Sequence, residues 1–91
     1  WRVIELTGSL ICKDDGEAAI VRQFLPRHIE LSRAEPGCLR FNVTQSRDPL
    51  VWRVSEQFTD RASFDAHQER VKASEWGRAT AHIQRDYSIK P

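Results

Sequence analysis

No apolar run in this chain of 91 residues approaches the length that crosses a bilayer, and the N-terminus lacks the charged, apolar and small-residue succession of a secretory leader. Methionine is absent altogether, so the start of the chain is open to trimming. Cysteine is scarce. Cys12 and Cys38 fall in separate expected strands without CxxC or His/Cys spacing, which argues against a zinc site or a disulfide-stapled secreted scaffold and favours a reduced, cytoplasmic setting. Charge of either sign is in balance, with a formal net charge of +1 and Lys and Arg scattered among Asp and Glu. That leaves no basic stripe for a phosphate backbone, so nucleic acid is not an expected partner. No glycine-rich phosphate loop follows a strand, since GSL after the first strand lacks the dinucleotide fingerprint, and no cysteine or serine has a base at motif spacing. Linkers, repeats and low-complexity tracts are also missing.

What remains is a composition of 40% hydrophobic and 30% charged residues, ordinary for one globular domain spanning residues 1–91. The opening WRVIELTGSLIC reads as a strand, with Ile4, Leu6, Leu10 and Cys12 on one face at period two. Asp14 with Glu17 three residues on has the capping-box arrangement and opens a helix. Val21, Phe24, Leu25, His28, Ile29 and Ser32 recur along it at helical spacing, and Pro26 is expected to kink it or open it locally. Pro36 and Gly37 end that helix. Leu39, Phe41 and Val43 then alternate with Arg40, Asn42 and Thr44, and after the turn at SRDP the pattern returns as Trp52, Val54 and Phe58 against Arg53, Ser55 and Gln57. Thr59 or Asp60 caps a second helix with Phe64, His67 and Val71 pointing one way. Ser74 caps a short piece carrying Trp76, which Gly77 is expected to weaken, and HIQRDYSIK closes the chain as a strand with Ile83, Tyr87 and Ile89 on one face beside Arg85. The order β-α-β-β-α-β is the split arrangement of an α+β, ferredoxin-like fold. It predicts a four-stranded antiparallel sheet with helices on one face, strand one between strands three and four, and strand two at an edge. Cys12 and Cys38 then lie on strands that are not neighbours, too far apart for a disulfide.

The space between sheet and helices receives an unusual set of polar groups. Glu56 falls on the apolar side of its strand and His67 and His28 on the apolar stripes of their helices, near Trp52, Tyr87 and Arg85. An unpaired buried carboxylate costs several kcal/mol, so Glu56 is paired, bonded to backbone donors, or facing a pocket that holds solvent. Two readings stand side by side for each residue. Glu56 is an anchor for the start of the second helix or a wall of a pocket, and His67 is a satisfied core histidine or a base whose pKa a nearby carboxylate raises. His28 fits a rim or packing role, Trp52 and Trp76 fit core filling or a substrate wall, and Asn42 and Arg40 belong to the opposite face of the sheet. Two imidazoles and a carboxylate form a set that binds non-haem iron, but with no HxH or HxxxH pair the metal reading is disfavoured.

The segments SRAEPGCLRFNV (Ser32 to Val43) and VSEQFTDRASFDAH (Val54 to His67), with Ser74–Glu75–Trp76 before the last strand, resemble the antibiotic biosynthesis monooxygenase domain proteins, which include small quinol and anthrone monooxygenases. The resemblance covers nearly the whole chain. It implies a homodimer forming an α/β barrel, a pocket between sheet and helices in each subunit, and oxidation of a small aromatic or quinol-type substrate by dioxygen without flavin, haem or metal, so that no cofactor is expected. It maps the family's glutamate and histidine onto Glu56 and His67, with Trp76 and Asn42 at further family-like positions. In chemical terms His67 is the candidate base, Glu56 orients its ring, Trp52, Trp76 and Phe64 form apolar walls, His28 lines the site, and Tyr87 or Arg85 donates to a developing oxyanion. Haem degradation, found in the same superfamily, is disfavoured because Trp1 to Cys12 contains no Asn and Glu56 to His67 no Trp. A dimeric module that binds an aromatic metabolite without turning it over, or an isomerase of a signalling metabolite, is served by the same pocket.

Overall fold

The alternation and capping signals produce the expected order in the computed structural model, which describes residues 3–91. Trp1 and Arg2, part of the expected first strand, lie outside the described residues. The elements are β1 (Ile4–Ile11), α1 (Asp15–Arg33), β2 (Cys38–Gln45), β3 (Val51–Phe58), α2 (Arg61–Lys72), α3 (Glu75–Ala79) and β4 (Gln84–Lys90). The sheet order is β2-β3-β1-β4, and every neighbouring pair is antiparallel, so β1 is central and β2 an edge. No described helix is long and apolar enough to cross a membrane. Cys12 and Cys38 are both free thiols.

Period-two alternation sorts the strands into two faces. Register places Leu6 opposite Glu56, and Glu56 opposite Phe41, while Leu10 lies opposite Trp52 and Gly8 opposite Val54. These side chains face the helices, and apart from Glu56 and Gly8 they belong to a core completed by Ala18, Val21 and Leu25 from α1, Phe64 from α2 and Trp76 from α3. Removing this apolar surface from water is what holds the helices on the sheet.

Alternation fails at Leu39, which is 54% exposed. Cys38 pairs with Phe58 but Arg40 with Gln57, so Leu39 is the extra residue of a β-bulge, and the bulge turns its side chain out of the core. Pro26 does not divide α1, whose helical residues run unbroken from Asp15 to Arg33. The carbonyl four residues back belongs to Arg22, and both residues are exposed, so the carbonyl that proline cannot bond is open to solvent.

The helix starts follow their sequence signals. Asp14 accepts from the Glu17 N–H at 3.0 Å, and the Glu17 carboxylate accepts from the Lys13 N–H at 2.8 Å. In α2 the cap is Asp60, which accepts from the Ser63 N–H at 2.8 Å. Gly77 has a different role from the expected one. A Cβ there would collide with the Val71 carbonyl oxygen, so glycine is what allows α3 to pack against the end of α2 and direct Trp76 inward. At Gly8 the backbone has φ +153° and the Asp86 backbone lies where a Cβ would stand; only glycine lets β4 approach β1 there.

Candidate functional site

Between the sheet and the helices lies a cavity of about 160 Å³. Leu6, Phe41, Val43, Val54, Val71 and Trp76 give it apolar walls, and Glu56, His67, Gln68, Arg85, Tyr87 and His28 bring polar atoms to it. Glu56 and His67, which come from different elements, are thus joined by one space.

His67 is 2% exposed and sits between two carboxylates. Its Nδ1 lies 3.1 Å from both carboxylate oxygens of Glu35, and its Nε2 lies 3.6 Å from Glu56 Oε1. The local chain explains the first contact. After α1 ends, the Glu35 N–H donates to the Ser32 carbonyl, the Cys38 N–H donates to the Glu35 carbonyl, and the Gly37 carbonyl accepts from the Thr59 N–H. This turn lies along α2, in whose second half His67 and Arg70, three residues apart, share a face. Arg70 Nε donates to Glu35 Oε1 at 2.6 Å and its Nη2 donates to the Ser32 hydroxyl at 3.0 Å. Glu35 is therefore held by Arg70, itself tied to Ser32, before it meets the imidazole.

The electrostatics give the two cavity groups unusual character. Burial, and then the charge of Glu35, push the Glu56 carboxyl up to about 7, and Glu56 Oε1 is buried without a hydrogen-bond partner. Burial also lowers the His67 pKa, outweighing the Glu35 hydrogen bond and charge that oppose the shift. The expected rise in the basicity of His67 is thus reversed in net effect. A neutral His67 that donates its Nδ1–H to Glu35 leaves the Nε2 lone pair facing Glu56 and the cavity. Ring orientation belongs to Glu35 rather than to Glu56.

The remaining polar groups divide by position. Arg85 donates through Nη1 to the Thr80 and Ile83 carbonyls at 2.7 and 2.9 Å, and through Nη2 to the Thr80 hydroxyl at 2.8 Å, which fixes the guanidinium at the cavity wall. Tyr87 lines the same wall, its hydroxyl pushed up to about 12, mainly by burial, and so held in the donor form. His28 stacks on Trp76 with ring centroids 4.6 Å apart and 5° between planes, and meets Phe41 edge-on at 5.2 Å. Burial lowers its pKa to about 3, so the ring is neutral at ordinary pH.

Three residues expected at the site stand elsewhere. Trp52 is buried in the core opposite Leu10, and Phe64 packs edge-on against Phe58 at 5.7 Å; neither lines the cavity. Asn42 is exposed on the opposite face of the sheet, paired with Ser55, and accepts from Arg33 Nη2 at 3.2 Å. Glu35 was missed because a turn residue has no periodicity to aim it, and Arg70 because it is a half-buried charged residue outside the apolar stripe of α2. The available signal was the pairing of His67 with Arg70 at i, i+3, a basic face that calls for a carboxylate opposite. Among the described residues no group of three or more His, Cys, Asp or Glu side chains is arranged to hold a metal ion.

The family model for antibiotic biosynthesis monooxygenases matches residues 11–79, most of the chain and all of Glu35, Glu56 and His67. The chain belongs to the antibiotic biosynthesis monooxygenase family. No curated protein matches it. Among solved structures it is similar to a protein of Nitrosomonas europaea provisionally named an antibiotic biosynthesis monooxygenase, with a TM-score of 0.83, 25% identity, and coverage of 97% of this chain and 88% of the other. Rv0793 from Mycobacterium tuberculosis superposes with a TM-score of 0.78 at 16% identity, covering 99% and 94% of the two chains, and PA3566 from Pseudomonas aeruginosa with 0.73 at 23%, covering 99% and 91%. These last two speak for the fold alone. Membership in the antibiotic biosynthesis monooxygenase family supports a general monooxygenase-like role for the chain.

Proposed function

We propose that the chain is a cofactor-independent monooxygenase that oxidises a small aromatic or quinol-type substrate with dioxygen. The observation that carries this is the arrangement at His67: Nδ1 held by Glu35, Nε2 left free toward an apolar cavity, and an unpartnered Glu56 oxygen 3.6 Å away. A phenol or enol reduces oxygen poorly until it loses its proton, and an imidazole with one fixed tautomer is suited to accept that proton. His67 Nε2 takes the hydroxyl proton, while Glu35 stabilises the imidazolium through Nδ1. Arg85 and Tyr87, which line the cavity, hold the substrate anion. The anion then passes one electron to dioxygen, radical recombination forms a carbon–oxygen bond, and the peroxide loses water: an anthrone CH₂ group and O₂ become a carbonyl and water, and a hydroquinone and O₂ become a hydroxyquinone and water. The electrons come from the substrate.

Oxygen uptake and substrate loss, followed together with a panel of hydroquinones and anthrones, test this directly. Equimolar consumption of oxygen and at least one member of the panel, dependent on the protein, is the expected result. Anaerobic binding with no uptake from any member of the panel would replace the enzyme with a binding module, and turnover that persists without oxygen would replace it with an isomerase.

We include in this proposal a homodimer formed through the polar face of the sheet. Arg40 there lies 3.5 Å from Glu5 and donates to the Ser55 hydroxyl at 2.9 Å, a face set with hydrogen-bonding groups rather than apolar ones. Sedimentation at micromolar concentration is expected to give twice the chain mass; a single chain mass rejects the dimer.

A further inference from the structure

Two cavities in this chain share a wall. The inner one is the site described above, and the second, of about 240 Å³, opens between α1, α2 and α3, with Phe24, Leu31, Arg70 and Glu75 among its lining residues. His28 and Trp76 line both. Their rings stack nearly parallel, one from α1 and one from α3, so a two-ring panel separates the spaces. The panel carries no charge: Trp76 is 6% exposed, and the His28 ring is neutral with a buried Nδ1 that bonds to nothing.

Size gives the panel a consequence. A dry protein cavity of about 150 Å³ accommodates benzene. The inner cavity, at about 160 Å³, is therefore matched to one aromatic ring with small substituents, and a fused second ring directed toward α1 and α3 is blocked by the panel. We propose that the His28–Trp76 pair determines specificity by restricting the site to single-ring ligands, and that removing either ring joins the two cavities into a site for fused-ring phenols. This rests on the inner cavity being the ligand site, as proposed above.

Calorimetric titration without oxygen tests the pair independently of turnover, using hydroquinone and its fused two-ring analogue naphthohydroquinone as probes. Wild type is expected to bind the single ring at least about tenfold more tightly than the fused one, and Trp76→Ala or His28→Ala to gain at least about tenfold in affinity for the fused probe. Circular dichroism establishes that each variant is folded, and either folded variant suffices. Equal binding of both probes by wild type, no gain in a folded variant, or no binding of either probe by wild type overturns the proposal. Its failure is separable from that of the monooxygenase proposal. Selective binding with no oxygen uptake in air retains the panel and loses the oxidation, whereas equal oxidation of both probes retains the oxidation and loses the panel.

Discussion

Replacing His67 with alanine is expected to lower protein-dependent oxygen consumption with a hydroquinone by roughly 10²–10⁴-fold, the range typical of losing a positioned general base. The size of the effect follows from geometry. His67 Nε2 is the neutral acceptor facing the cavity, with its tautomer fixed through Nδ1 by Glu35, which is itself held by Arg70. The neighbouring Glu56, whose carboxyl burial raises to about 7, is suited to take over part of this role, which sets the expected loss toward the lower end of that range. Anaerobic affinity for the same substrate should change far less, since the apolar walls and the donors Arg85 and Tyr87 remain. Steady-state oxygen electrode rates and calorimetric affinities, measured on folded protein, separate the two quantities. An unchanged rate removes His67 from proton transfer.

The second large effect concerns stability. Substituting Glu56 with glutamine is expected to change the pH dependence of folding by about 3 kcal/mol, from the distance between about 7 in the fold and the ordinary 4.5, at roughly 1.4 kcal/mol for each pH unit. Between those two values the folded chain holds a proton at Glu56 that the unfolded chain has released. The folded state binds more protons there, so this group makes stability fall as pH rises through the window. Below about 4.5 the group is neutral in both states and has no effect. His67 acts in the opposite direction, because its lowered pKa leaves the unfolded chain with more protons around its usual 6.5. The wild type therefore shows a compressed profile, and comparison with Glu56→Gln isolates the carboxyl. Urea unfolding near pH 8 and near pH 4 is expected to show the variant gaining on wild type only at the higher pH. Parallel profiles would mean that Glu56 ionises normally.

The sequence carried the fold because each element had its own signal. Alternation in β3 put Glu56 among apolar neighbours, and helical spacing in α2 put His67 beside Phe64, so two cavity residues were legible from periodicity alone. The limits were equally local. Leu39 obeys the alternation in sequence, but a bulge is a pairing event between strands, and β2 does not encode its register by itself. Trp52 and Phe64 point to the correct side of the fold, yet periodicity gives a direction and not a depth; both ended in the packed core instead of the cavity wall. Glu35 is the main omission. Its position depends on where a turn after α1 docks against α2, which is a tertiary contact without a repeating pattern.

The bulge at Leu39 also affects what the chain does among other chains. β2 pairs with β3 on one side only, which leaves its other edge as a row of backbone donors and acceptors that another strand could match. A regular edge of eight residues would be a good template for intermolecular pairing. With an extra residue at Leu39 the spacing of those groups is broken near the start of the strand and the local twist increases, so an incoming strand cannot stay in register along the full length. An exposed leucine thus marks the position where this sheet is protected against edge-to-edge aggregation.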